Sequence, residues 1–109
     1  MPETVDAVFH ALAHPSRRAV VARLGRGPAA VGELARPFDM ALPTFCQHLH
    51  VLERAGIVRS RKHGRVRTYE LAPARLAEAE SWLAEQRKHW EVRLDQLDAL
   101  LLTLKEKEP

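Results

Sequence analysis

The sequence predicts a mainly α-helical fold with one small β-hairpin, closed by a long terminal helix. Three observations predict it. Apolar residues recur at helical spacing in short segments punctuated by Pro15, Gly25, Gly27, Pro28, Pro37 and Pro43. Two alternating stretches between Ile57 and Leu71 flank a glycine. Between Pro73 and Pro109 no glycine or proline interrupts a run rich in Ala, Leu, Glu, Gln, Lys and Arg. With 109 residues, 46% of them apolar, the chain is sized for one domain, expected to span 1–109.

Each element has its local reason. Val5, Val8, Phe9 and Leu12 recur at helical spacing and stop before Pro15, whose ring disfavours helical geometry at His14. Pro15 suits the first turn of a second helix over 16–24, with Ala19, Val20 and Leu24 inward and Arg17, Arg18 and Arg23 largely outward. A third helix over 30–36 is halted by Pro37, and the turn from Phe38 to Leu42 leads to Pro43, which opens a fourth over 43–55. There Phe45, Leu49 and Leu52 form the core face, while Pro43, Gln47, His50 and Arg54 share the opposite one. Gly56 supplies a left-handed residue after it. Strands over 57–61 and 65–71, joined by a turn at His63-Gly64, make the hairpin, a wing over 57–72. The terminal helix is expected over 73–107.

Charge is unevenly distributed. Residues 1–72 carry eleven basic and six acidic side chains, a balance of +5, against −2 for residues 73–109. Five cations, Arg59, Arg61, Lys62, Arg65 and Arg67, fall within nine positions on the hairpin, a run that suits a phosphate-bearing partner. Helix, tight turn, helix and basic hairpin together are the winged helix-turn-helix arrangement, in which the second helix of the pair enters the major groove. On that reading Thr44, Gln47, His48 and His50 are the candidates for base readout, since a glutamine can pair bidentately with adenine. Arg54, Arg59, Arg61, Lys62, Arg65 and Arg67 are the candidates for the DNA backbone.

In the terminal helix Leu76, Leu83, Trp90, Leu97 and Leu104 repeat every seventh position, with Leu94 and Leu101 completing an apolar seam. A domain this small cannot cover that stripe alone, which predicts a second copy of the chain across a two-fold interface. The interface residues expected are Val5, Phe9, Leu83, Trp90, Leu94, Leu97, Leu101 and Leu104.

The stretch Ala11-Leu12-Ala13-His14-Pro15-Ser16-Arg17-Arg18, the turn Pro37-Phe38-Asp39-Met40, the segment from His48 to Val58 and the run Trp90-Glu91-Val92-Arg93-Leu94-Asp95 resemble the ArsR (arsenical resistance repressor) family. The resemblance implies a homodimeric bacterial repressor that binds a double-stranded DNA operator near its own promoter. Cys46 and Gln47 depart from it, standing where Ser and a basic residue are common, as does Phe45 where a smaller aliphatic is usual, so base preference does not transfer.

Sensing has two candidate routes. Cys46 lies near a helix N-terminus, where the dipole favours a thiolate, and the i, i+4 pair Glu85 and His89 could meet its symmetry mate at a metal. The positions that carry a cysteine pair in metal-responsive relatives are here Ala30 and Gly32, which bind no metal, so neither metal nor cofactor is expected. The bland readings are a half-buried cysteine and a solvated helix face. A protein-interaction module without DNA binding is the alternative from another class. The chain has no Gly-rich phosphate loop, nucleophile elbow or paired carboxylates in a predicted pocket, so no enzymatic activity is expected. With one cysteine there is no internal disulfide, and with two acids and no positive region at the start no secretory signal; a cytoplasmic protein without a membrane partner is expected.

Overall fold

Pro15 separates two helices and His14 joins them. In the computed structural model, which describes residues 3–106, α1 spans Glu3–Leu12 and α2 Pro15–Leu24. His14 is extended, as a residue before proline must be, and its Nδ1 accepts the backbone N–H of Ser16 at 3.1 Å. The next two arginines turn back onto α1. Arg17 donates through Nε to the carbonyl of Ala11 at 2.6 Å and through Nη2 to that of His10 at 3.2 Å, and Arg18 donates to Leu12 at 2.8 Å. The carbonyls of Ala11 and Leu12, orphaned by the end of α1, are thereby satisfied, and that of His10 gains a second donor beside the Ala13 N–H. Arg17 and Arg23, expected largely outward, are half-buried, and Ala19, expected inward, is exposed.

A short strand follows that the sequence did not announce. β1, Ala29–Ala30, pairs antiparallel with the last strand through Ala29 opposite Tyr69 and Ala30 opposite Thr68. It shortens the third helix to α3, Val31–Ala35. Next come α4, Leu42–Arg54, β2, Val58–His63, β3, Val66–Leu71, and α5, Pro73–Glu106; the expected end at 107 lies outside the described residues. The sheet has the order β1-β3-β2. The hairpin turn is displaced by one residue from the expectation: His63 pairs with Val66, so Gly64 and Arg65 are its central residues. Gly64 has φ +61° and Arg65 is not positive, the pattern of a type II′ turn, which needs glycine first.

The described residues fall into two compact units, one through Ala79 and one from Glu80. The first unit has a core of Val8, Val20, Leu34, Phe45, Leu49, Leu52, Ile57 and Val58, each at most 2% exposed. Leu76 and Ala79 of the first turns of α5 also pack in it. The second unit is the rest of α5.

α4 ends in a Schellman arrangement, the Ile57 N–H reaching the Leu52 carbonyl at 3.1 Å and the Gly56 N–H that of Glu53 at 3.0 Å. Gly56 takes φ +77°, and a Cβ there would lie 2.6 Å from Cγ of Arg75. Gly64 is also left-handed, with nothing within 4 Å. Gly56→Ala is therefore expected to cost about 1–2 kcal/mol from backbone strain plus the displacement of Arg75, and Gly64→Ala only the strain, about 1 kcal/mol. Paired thermal melts check the order.

The ring of His48 lies 4.3 Å from that of His14, and its Nδ1 is 3.2 Å from Nη1 of Arg17. Burial first, then the charges of His14 and Arg17, hold its pKa below the ordinary 6.5. The folded state thus resists a proton that the unfolded chain accepts, so stability is full above about pH 6.5 and falls as the pH drops below it. Between pH 7.5 and 5.5 the wild-type melting temperature should fall further than that of His48→Gln; equal falls would mean His48 is not a source of the loss.

Candidate nucleic-acid interface

α4 owes its outward face to its inward one. Phe45, Leu49 and Leu52 are at most 1% exposed, and Phe45 also packs against the ring of Phe38 at 5.1 Å. With those three fixed in the core, helical periodicity turns Thr44, Gln47, His50 and Arg54 to solvent, and all four are exposed. His48, also expected at the bases, sits differently from these four. It is half-buried and held by Arg17, so its Nδ1 is committed within the chain and not presented beside Gln47. Cys46 is exposed.

The wing sorts its cations by strand pleat. Val58 and Tyr69 are buried, so their face of the hairpin is the core side, and alternation puts Ser60, Lys62 and Arg67 on it as well. Arg59 and Arg61 lie on the other face with Glu70. Arg59 stands directly opposite Glu70 and donates to it at 2.7 Å, and Arg61 approaches the same carboxylate at 3.8 Å. The hydrogen bond from Arg59 holds the Glu70 carboxyl below the usual carboxylate range. Two of the five wing cations thus share one acid.

Lys62, by contrast, is directly opposite Arg67. Like charges so placed repel. Among the described residues neither Lys62 nor Arg65 has an acidic partner, and Arg67 is held by a neutral hydroxyl, donating to Oγ of Ser60 at 2.8 Å. Ser60 in turn donates to Glu53 of α4 at 2.7 Å. Glu53 also stands close to Tyr69, whose phenol is pushed above 10 by burial first and by that carboxylate second. Sequence reasoning missed Glu53 and Ser60 because nothing local links them: they meet only once the strand turns back across the end of α4.

In the second unit Leu83, Trp90, Leu94, Leu97, Leu101 and Leu104 are all 40–58% exposed. Val92, Leu100 and Leu102, off the heptad stripe, are exposed too. Val5, expected at an interface, is 3% exposed within its own chain, because α1 turns it inward one turn before Val8; Phe9 is half-buried against the core. Glu85 and His89 line an open groove along α5 with Ser81, Lys88 and Arg93. No group of three His, Cys, Asp or Glu side chains able to hold a metal ion is present among the described residues, and none of their helices is long and apolar enough to cross a membrane.

A helix-turn-helix domain model matches residues 12–61. The chain is 49% identical over 72 residues to the HTH-type transcriptional regulator Rv2034 of Mycobacterium tuberculosis, covering 66% of this chain and 67% of that one. It is 41% identical over 78 residues to the biofilm growth-associated repressor of Agrobacterium fabrum, covering 69% and 67%. Among solved structures it is similar to an ArsR family transcriptional regulator at 54% identity and a TM-score of 0.79, covering 84% of this chain and 94% of that one. A homodimeric winged helix-turn-helix DNA-binding domain from Mycobacterium bovis matches at 26% identity and a TM-score of 0.62, covering 86% and 84%. An exposed polar stripe on α4 beside a cationic wing suits such regulators, and this chain belongs to the ArsR family of winged helix-turn-helix, DNA-binding transcriptional regulators.

Proposed function

We propose that the protein is a homodimeric repressor that binds a palindromic operator and controls its own expression, with α4 in the major groove and the wing on the flanking backbone. The observation that carries the reading is the combination, within one unit, of a hydrogen-bonding stripe on α4 and uncompensated cations at Lys62, Arg65 and Arg67 on the adjoining hairpin. A curated relative bears the name of repressor, and a solved neighbour is a homodimer, which supports repression and self-association here. Repression follows most simply from occlusion of polymerase by the bound dimer. Successive major grooves would place the two copies of α4 about 34–36 Å apart on the duplex.

The division of labour is testable. Gln47 and Thr44 would read bases, His50 beside them, while Arg54 and the wing cations contact phosphates; His48 belongs to the support of α4. A duplex enriched from a random-sequence pool by the wild-type protein serves as the specific probe, and a scrambled duplex as the reference. Arg65→Ala is expected to weaken both and to flatten the slope of log K against log salt by about 0.9, the loss of one phosphate contact. Gln47→Ala should weaken the enriched duplex alone, by about five- to a hundredfold. Equal losses from Gln47→Ala on both duplexes would remove it from readout.

Self-association is tested separately. Leu94→Glu with Leu101→Glu places two charges in the exposed stripe of α5, and sedimentation is expected to move from dimer to monomer at micromolar concentration. A wild-type protein that sediments as a monomer there would end the dimeric reading.

A further inference from the structure

Glu53 is an acid on the helix that faces a polyanion, and simple electrostatics would have it removed. Its geometry gives it another task. The Ser60 hydroxyl has one proton, which it donates to Oε2 of Glu53 at 2.7 Å, and its oxygen accepts from Nη1 of Arg67 at 2.8 Å. Donor order is therefore fixed: Arg67 to Ser60 to Glu53. The chain of bonds crosses three elements, from β3 through β2 to the penultimate residue of α4. It does not neutralise Arg67 by direct pairing, since no ion pair joins Arg67 to Glu53. The guanidinium is engaged through Nη1 and keeps further N–H donors of its planar fork for an outside acceptor. Meanwhile Lys62, directly across the hairpin, pushes Arg67 away from it. Without a tether an exposed arginine beside a like charge would spread over many rotamers, and binding would have to order it.

We propose that Glu53 and Ser60 are positioning residues that hold Arg67 in a fixed relation to α4, so that helix and wing engage one duplex together. The inference rests on the reading of this surface as a DNA interface, and it adds where specificity is lost when the two parts are uncoupled. A scrambled duplex, which the protein meets in many registers through phosphates alone, gains little from that registration. A duplex that α4 reads in one register gains from it fully. The tether therefore acts on discrimination, the ratio of the two affinities, and not on affinity at large.

The test uses the full chain, the enriched and scrambled duplexes, and fluorescence anisotropy at fixed salt. Ser60→Ala changes no charge and breaks both bonds; it is expected to lower discrimination about fivefold, with the scrambled duplex changed less than twofold. Ser60→Thr keeps the hydroxyl on a residue that strands favour and should restore discrimination to within about twofold of the wild type. Glu53→Ala removes a negative charge together with the acceptor of the Ser60 proton, so it should tighten the scrambled duplex while discrimination falls. If Ser60→Ala leaves discrimination intact, or Glu53→Ala tightens both duplexes by the same factor, the tether has no positioning role. If the wild-type protein enriches no duplex at all, the underlying DNA-binding reading fails instead, and the two failures are thereby told apart.

Discussion

The packing of Phe45, Leu49 and Leu52 into the core is the constraint from which the interface follows. Burial of three large side chains along one stripe fixes the rotation of α4 about its own axis to within a fraction of a turn. Rotation decides which residues reach outward, so the positions of Thr44, Gln47, His50 and Arg54 are consequences of an apolar fit. Truncating Phe45, which is fully buried and packed against the tilted ring of Phe38, removes about 3–5 kcal/mol of packing and with it the reason for that orientation. Translation along the axis is set at the two ends. At one end Pro43 enters in the first turn, and at the other Gly56 closes the helix and delivers Ile57 to the core.

A second support reaches α4 from the side. Arg17 is bound to the last carbonyls of α1 and also meets Nδ1 of His48, so the junction of α1 and α2 braces the middle of α4. One guanidinium satisfies a helix terminus and touches another helix, which its planar array of donors allows and a lysine would not. His14 both caps α2 and packs on His48, which explains why an imidazole suits a position where proline follows. These contacts join the His14-Pro15-Ser16-Arg17 stretch to the helix proposed to read DNA.

The helices, the hairpin and the core face of α4 were legible from the sequence because each is dictated within a few residues, by periodicity, proline and glycine. What escaped was tertiary. Ala29 and Ala30 carry no strand signal of their own and become β1 only because Tyr69 and Thr68 offer an edge. The hairpin turn was misplaced by one position because His63-Gly64 and Gly64-Arg65 both satisfy the glycine rule, and only the pairing of His63 with Val66 decides between them. Val5, Arg17 and His48 share one lesson: the burial of the first and the hydrogen bonds of the other two depend on packing between distant segments, which local spacing does not carry. The basic character of the wing was plain in the sequence, but which cation is matched by an acid depended on register.

Register also explains why the wing keeps a surplus of charge where it does. The same pleat that sets Arg59 against Glu70 sets Lys62 against Arg67, so one face of the hairpin is electrostatically satisfied and the other is not. A sequence selected for the stability of the free protein alone would place an acid at one of those two positions, since opposed unlike charges on a sheet stabilise it by about 0.2–1 kcal/mol and like charges do the reverse. The unsatisfied face is the core side of the sheet, shared with Ser60 and adjoining α4. Local electrostatic conflict of this kind is relieved by an anion brought from outside. A polyphosphate backbone along the hairpin would therefore gain twice, by attraction to each cation and by ending their mutual repulsion, while Arg59 and Arg61, already screened by Glu70, would contribute less. Affinity should accordingly reside in Lys62, Arg65 and Arg67, and sequence preference in the uncharged donors and acceptors of α4.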